Sequence, residues 1–267
     1  GITIAYDDTS IGEPLVLIHG HPFDRSMWEP QREHFSRRGW RVIAPDLRGY
    51  GETTVVPAPI RWEEFVHDIV GLLDSLPIQQ IVLGGLSMGG QIVMEFHRLY
   101  PHRLRALVLA DTSPRAETPG GRKGRHELAD RLLREGMDPY AHEVLPMMIR
   151  PENIRDEPGL ASRVLRMMRG TAPEGAAAAL RARADRPDYV EMLGRVAVPT
   201  LIVVGRHDAF TPLGEAQLME DGIARATLAI IDDAGHMPNL ERPAAFNAAL
   251  EAFLDTLRRD KRPNGTA

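Results

Sequence analysis

The sequence predicts an α/β fold in which a mostly parallel sheet carries helices on both faces and is interrupted by a helical insertion. Seven short aliphatic runs, typical of strands, alternate with helical patterns along the 267 residues: 2–6, 15–19, 41–44, 80–86, 104–109, 200–204 and 227–231. Most of these runs are continuously apolar, which is expected of parallel strands that are buried on both faces. Strand–helix alternation is typical of an α/β sheet covered on both sides.

The alternation stops between residues 113 and 195. This segment opens with Pro114 and Pro119, continues with helical patterns, and contains six of the eleven methionines. We therefore expect core segments 1–112 and 196–259, a helical cap at 113–195 that roofs a pocket with apolar contacts and little charge, and a flexible tail at 260–267. The cap arginines are balanced by acids, so we interpret them as a solvated helix surface. The last helix is expected to begin at Pro243.

Composition excludes several classes of function. The net charge of −5 and the absence of a basic face argue against a nucleic-acid partner. The chain contains no cysteine, which removes disulfides, thiolate nucleophiles and zinc–thiolate sites. No apolar run approaches the ~20 residues of a membrane span, and no signal peptide is visible, so we expect a cytoplasmic protein without membrane contact. Nothing indicates a particular oligomeric state.

The strongest chemical signal is Gly85-Leu86-Ser87-Met88-Gly89, which joins an apolar strand to a helix. A sharp strand–helix turn strains the serine backbone and admits only small residues two positions before and after it. It would present the Ser87 hydroxyl above the sheet as a nucleophile. The pattern is not the glycine fingerprint of a dinucleotide site, whose spacing differs.

A serine nucleophile needs a base and an acid that orients the base. Asp208 follows the strand 200–204, and His236 follows the strand 227–231. Both would lie at the carboxyl edge of the sheet, where sites form in open α/β folds. We therefore predict a triad of Ser87, His236 as general base and Asp208 as the orienting acid, with Asp111 as the first alternative acid.

The tetrahedral intermediate also needs hydrogen-bond donors. We expect the backbone amides of Met88 and His21 to form this oxyanion hole, with Phe23 as the fallback because Pro22 has no amide hydrogen. His19 is interpreted as structural. The predicted substrate-contacting residues are His21, Phe23, Met88, Phe210 and Met237. The other histidines lack metal-ligand spacing and no carboxylate cluster appears, so we predict neither metal nor cofactor.

The motifs together resemble the α/β-hydrolase superfamily over nearly the whole chain. The matching elements are His19-Gly20-His21-Pro22, Asp46-Leu47-Arg48-Gly49-Tyr50-Gly51, Gly85-Leu86-Ser87-Met88-Gly89, Val198-Pro199-Thr200-Leu201, Gly205-Arg206-His207-Asp208 and Gly235-His236. The chain is most similar to bacterial arylesterases and perhydrolases and to 3-oxoadipate enol-lactonases. The resemblance implies a sheet of about eight strands, of which the sequence shows seven clearly, so one strand near the N-terminus is expected to be short or to lack a clear pattern in the sequence.

Three functions remain open from the sequence. The preferred one is a carboxylic ester or lactone hydrolase that acts on a small molecule through an acyl-serine intermediate. The second uses the same triad for C–C bond hydrolysis of a diketone or for cofactor-free perhydrolysis. The third is a binding protein without activity, which is disfavoured because every catalytic position is filled. Epoxide hydrolases and haloalkane dehalogenases need a carboxylate nucleophile where Ser87 stands, so they are set aside.

Overall fold

The structure, a computed structural model, describes residues 1–56 and 59–260. Its strands form one seven-stranded sheet in the order β1-β3-β2-β4-β5-β6-β7. Strand β1 runs antiparallel to β3, and the other neighbours are parallel. This confirms the predicted mostly parallel sheet. The strands are β1 (Tyr6–Asp8), β2 (Glu13–Ile18), β3 (Trp40–Pro45), β4 (Ile81–Leu86), β5 (Leu104–Ala110), β6 (Thr200–Gly205) and β7 (Ala226–Ile231).

Helices cover both faces of the sheet. Alternate strand side chains point into two apolar layers, as the two-residue period requires. One layer holds α1 and α12, and the other holds α2, α3 and α10. The helices are α1 (Glu29–Ser36), α2 (Glu63–Ser75), α3 (Met88–Leu99), α4 (Pro119–Glu135), α5 (Met137–Met148), α6 (Pro151–Asp156), α7 (Pro158–Gly170), α8 (Pro173–Ala184), α9 (Val190–Leu193), α10 (Leu213–Gly222), α11 (Pro238–Glu241) and α12 (Pro243–Asp260).

The first strand differs from its prediction. It spans Tyr6–Asp8 and not residues 2–6, and it pairs with β3 over three residues only. The backbone of residues 3 and 5 instead bonds the loop after β3: the amides of Thr54 and Asp46 donate to the carbonyls of Thr3 and Ala5. The described residues thus form seven strands, and the eighth strand that the resemblance implies is not among them.

Six helices, α4 to α9, occupy the segment between β5 and β6, and no strand interrupts them; residues 113–195 are all described. We call this segment the helical insertion. Four of its helices begin at a proline, whose fixed φ suits the first helical position and whose missing amide hydrogen costs nothing there. Helices α4 and α8 pack closely against each other.

The last helix begins at Pro243, as predicted. Asp260, the first residue of the predicted tail, ends this helix, and residues 261–267 lie outside the described part of the chain. None of the helices in that part combines the length and the apolar character needed to cross a membrane.

Candidate active site

Ser87 stands at the turn between β4 and α3. Its backbone has φ 58° and ψ −116°, a conformation that side chains other than glycine rarely adopt. The turn is held by the Ser87 amide, which donates to the Ala110 carbonyl at 2.9 Å. The Thr112 hydroxyl donates to the Ser87 carbonyl at 2.7 Å. These bonds to the end of β5 fix a strained backbone that would otherwise relax.

The glycines around Ser87 are required by close backbone approach. A Cβ on Gly85 would lie 2.4 Å from the carbonyl carbon of Gly89. A Cβ on Gly89 would lie 2.3 Å from the Ile18 carbonyl oxygen. Real Cβ atoms do not approach other atoms this closely, so only glycine lets α3 start directly above β2 and β4. The spacing around the serine therefore has the steric origin that the sequence predicted.

Asp208 and His236 form a buried hydrogen-bonded pair. His236 Nδ1 lies 2.9 Å from both carboxylate oxygens of Asp208. Asp208 also accepts bonds from the Phe210 amide at 2.8 Å and from the Thr211 hydroxyl. Burial alone would raise the pKa of Asp208, but His236 and these donors together lower it. Asp208 is therefore a carboxylate at neutral pH, able to orient His236 and to stabilise its protonated form.

Asp111 follows β5 and lies beside this pair. One of its oxygens accepts the Gly205 amide at 2.8 Å, and the other is buried with no hydrogen-bond partner in the described residues. Burial, and then the nearby charge of Asp208, raises the pKa of Asp111 well above its ordinary value. Asp111 does not bond His236, so the geometry favours Asp208 as the orienting acid.

Asp111, Asp208 and His236 offer side-chain atoms within 4.8 Å of one another, a spacing that a metal ion could bridge. Carboxylates and imidazole can bind metal ions, but the hydrogen bonds that these side chains already form disfavour an ion here. His236 directs Nδ1 at Asp208 at hydrogen-bond distance, and the Asp208 oxygens already accept several donors. The three side chains form an acid–base cluster, and we assign no metal to it.

Ser87 and His236 line the same cavity, which has a volume of about 340 Å³. Of the predicted substrate-contacting residues, His21 and Phe210 also line it. The ring centroids of Phe210 and His236 are 4.8 Å apart. Phe23, Met88 and Met237 do not contribute to the cavity wall, because their side chains are fully buried in the apolar layers. The predicted contact of these three residues with a substrate therefore stays a prediction.

The predicted donors of the oxyanion hole differ in their availability. In the described part of the chain, the amides of Met88 and His21 donate no hydrogen bond. The amide of Phe23, the fallback, donates to the Gly20 carbonyl at 3.0 Å and is therefore occupied. Met88 is the first residue of α3, where amides lack partners within the helix and favour negative charge.

Histidines 19 and 21 have different surroundings. His19 accepts the Leu47 amide at Nε2 and lies 2.9 Å from the Gly20 carbonyl through Nδ1, so both ring nitrogens hold the loops together. His21 Nδ1 lies 2.8 Å from the Tyr50 hydroxyl, and its Nε2 has no partner among the described residues. Burial, aided by Arg183, lowers the pKa of His21 well below its usual value, so His21 is a neutral ring at pH 7.

The prediction that residues 113–195 contribute apolar contacts and little charge to the pocket is wrong in one respect. Leu128, Met148 and Leu180 of the helical insertion do line the cavity. Charged residues from the same segment line it as well: Arg115, Glu117, Arg125, Arg183 and Arg186. Arg186 is only 5% exposed, and Arg125 and Arg183 are partly buried, so these three arginines are not the solvated helix surface that the balance of charges suggested.

Glu241 is a residue that the sequence reasoning missed. It is buried in α11, and one oxygen accepts the amides of Gly235 and Met237, which flank His236. The other oxygen accepts the Arg150 amide at 2.9 Å and the Asn153 amide group at 2.7 Å, both in the helical insertion. The available signal was an acidic residue five positions after His236, at the end of the short segment Pro238-Asn239-Leu240-Glu241.

The model of the family described as alpha/beta hydrolase fold matches residues 13–243 of this chain. The chain belongs to this family. The hydrolase superposes on a thermophilic esterase from Thermogutta terrifontis, solved with malate bound, with a TM-score of 0.93 and 38% identity, covering 96% of this chain and 94% of the other.

Two curated relatives also match this hydrolase. The 3-oxoadipate enol-lactonase 2 of Acinetobacter baylyi is 29% identical over 90% of this chain and 88% of its own length. The 2-hydroxy-6-oxononadienedioate/2-hydroxy-6-oxononatrienedioate hydrolase of Paraburkholderia phymatum is 29% identical over 95% of this chain and 91% of its own length.

Proposed function

We propose that this hydrolase cleaves a carboxylic ester or lactone of a small molecule through an acyl intermediate on Ser87. One observation carries the proposal: Ser87 and His236 line one cavity, and His236 is hydrogen bonded to Asp208. A serine hydroxyl becomes an effective nucleophile only beside such an oriented base. The relatives named as an esterase and as an enol-lactonase support this class of substrate.

In the proposed mechanism, His236 removes the hydroxyl proton as Ser87 attacks the scissile carbonyl. The amides of Met88 and His21 stabilise the oxyanion of the tetrahedral intermediate. His236 then gives its proton to the departing alkoxide, and the C–O bond breaks. A water molecule, deprotonated by His236, attacks the acyl-Ser87 ester, which releases the acid and regenerates the hydroxyl. Asp208 holds the imidazole orientation and stabilises its charge throughout.

In this proposal, the core comprises residues 1–112 and 196–259, and the helical insertion, residues 113–195, acts as a cap. The presence of insertion side chains in the same cavity as Ser87 supports the cap role. A cap over the cavity would exclude water from Ser87 and strengthen the electrostatic interactions on which the oxyanion hole depends. We propose a cytoplasmic protein that requires no cofactor.

Hydrolysis of a C–C bond is the second candidate. It is favoured by the relative from Paraburkholderia phymatum, because the substrate in its name carries hydroxyl, oxo and carboxylate groups and no ester. The same triad could serve that reaction. The two candidates differ in the bond that lies next to Ser87, and not in the catalytic residues.

Two measurements test the proposal. Mass spectrometry after brief incubation with 4-nitrophenyl acetate should show one acetyl group on wild type and none on Ser87→Ala. A comparison of kcat/KM across size-matched esters, lactones, diketones and acid–peroxide pairs should rank the esters and lactones first. A diketone or an acid–peroxide pair at the top of the ranking would replace the proposed substrate class. Absence of an acetyl group on Ser87 would contradict the assignment of Ser87 as the nucleophile.

A further inference from the structure

Arg183 of α8 lines the same cavity as Ser87 and is held over the helix that Ser87 begins. Its Nε donates to Gln91 Oε1 at 2.6 Å. Gln91 lies in the first turn of α3, four residues after Ser87. The interaction anchors the guanidinium at Gln91 and uses only one of its nitrogens. The two terminal nitrogens, Nη1 and Nη2, donate to no protein atom in the described residues.

The acid nearest to Arg183 in the cavity wall is already paired with other arginines. Glu117 is the acid in the cavity wall, and its Oε1 already accepts bonds from Arg125 and Arg186, each at 2.6 Å. Burial alone would raise the pKa of Glu117, and these two arginines lower it. Arg115 bonds Glu215 at 3.1 Å. Arg183 forms no ion pair within the part of the chain that the structure describes.

The pKa of Arg183 shows that its surroundings disfavour the charged form of the guanidinium. Burial, with the repulsion of Arg125 and Arg186, holds that pKa well below the ordinary value of a guanidinium. Arginine nevertheless stays protonated in proteins. The charge of Glu117 partly offsets this positive charge, but no carboxylate of the described residues forms an ion pair with Arg183. Such a charge is costly unless a ligand supplies the opposite charge.

We propose that Arg183 is a specificity-determining residue whose free Nη atoms bind a carboxylate on the substrate, so that the natural ester or lactone is anionic. This inference rests on the proposed function and narrows it to one class of substrate. A guanidinium presents two parallel N–H donors that match a carboxylate. The cavity volume of about 340 Å³ favours a small acid. A carboxylate bound to Arg183 would fix the substrate's orientation in the cavity that contains Ser87.

The test compares two esters of nearly equal shape, monoethyl succinate and ethyl succinamate, in which a neutral amide replaces the free carboxylate. Wild type should prefer the anionic ester in kcat/KM. Arg183→Gln should lose about 10- to 100-fold on monoethyl succinate and less than about 3-fold on ethyl succinamate. Arg183→Lys, which keeps the charge, should recover part of the preference. Arg181→Gln, an arginine on the same helix that pairs with Asp130 outside the cavity, is the matched control.

Calorimetric titration with succinate and succinamide separates this inference from the proposed function, because binding needs no hydrolysis. Succinate should bind wild type more tightly than succinamide, and Arg183→Gln should abolish the difference. Such binding without turnover of either ester would keep the carboxylate site and refute ester hydrolysis. Equal binding of the two probes, or equal losses on both esters in Arg183→Gln, would overturn the site while leaving any esterase activity standing.

Discussion

Glu241 Oε1 accepts the amide of Gly235 at 2.8 Å, and Glu241 Oε2 accepts the amide of Arg150 in the helical insertion. One buried carboxylate therefore links the loop that carries His236 to the helical insertion. Burial raises the pKa of Glu241, and the four donors around it act in the opposite direction by favouring the ionised form. Both oxygens are used as acceptors only. A residue that must accept on both sides cannot be replaced by an amide without placing two donors face to face.

We therefore expect Glu241→Gln to lower both stability and activity. The misplaced amide group should cost about 2 kcal/mol in the free energy of unfolding. A shifted His236 should lower kcat by about 10-fold or more with a smaller change in KM. Urea unfolding and steady-state kinetics measure the two effects. Glu33→Gln, on the exposed face of α1, is the control and should change neither. Unchanged kcat in Glu241→Gln would show that the loop does not depend on this carboxylate.

Activity should be sensitive to removal of charge at Asp208 and insensitive to it at Asp111. Asp208→Asn keeps the shape but favours the wrong tautomer of His236, so kcat should fall by up to about 10⁴-fold. Asp111→Asn replaces an acid whose raised pKa favours the neutral form, so kcat should stay within about 3-fold. Both variants are measured on one ester at one pH. A larger loss in Asp111→Asn than in Asp208→Asn would exchange their roles.

The pH dependence of stability provides a separate test of Asp111. Its pKa is raised in the folded state, so the protonated form contributes stability that is complete below the unfolded value of 3.8 and is lost as pH rises through the folded-state pKa. Wild type should therefore lose stability relative to Asp111→Asn between pH 4 and the folded-state pKa. Asp208, whose pKa is lowered, titrates below that window. Urea unfolding at several pH values measures the difference, and a constant difference would contradict the raised pKa.

Backbone strain at Ser87 predicts an unusual order of stability. Glycine normally destabilises a folded protein relative to alanine by about 0.5–1 kcal/mol. At φ 58° and ψ −116° the order should reverse, because only glycine adopts this conformation without strain. Ser87→Gly should unfold at a higher urea concentration than Ser87→Ala, by about 1 kcal/mol in free energy. The opposite order would indicate that the turn relaxes in the variants.

Local patterns were enough to predict the sheet, the positions of Ser87, Asp208 and His236 after its strands, and the steric need for glycine around Ser87. These features depend on neighbours in sequence and on the shared carboxyl edge of parallel strands. The first strand was misplaced because residues 3 and 5 bond a loop some 40 to 50 residues away, which no local pattern reports.

The charged cavity wall was missed for a related reason. Which face of α8 meets the cavity is decided by its packing on α4 and by its contact with Gln91, so composition alone could not separate Arg183 from Arg181. Phe23 was predicted as a fallback donor because its place in the loop is favourable, yet a tight turn back to Gly20 occupies its amide. Both outcomes depend on tertiary contacts.

Two glycines with opposite surroundings test whether the turn at Ser87 depends on backbone approach. A Cβ on Gly89 would lie 2.3 Å from the Ile18 carbonyl oxygen, so Gly89→Ala must push α3 away from β2. We expect a loss of about 3 kcal/mol or more in the free energy of unfolding, together with loss of turnover, because Met88 and Ser87 move with the helix.

Gly71 is the control: it lies in α2, exposed, with no atom within 4 Å of a new Cβ. Gly71→Ala should raise stability by about 0.5–1 kcal/mol through helix propensity and leave turnover unchanged. Urea unfolding and ester turnover of the two variants decide the matter, and a Gly89→Ala variant as stable and active as wild type would show that α3 can tilt without disturbing the site.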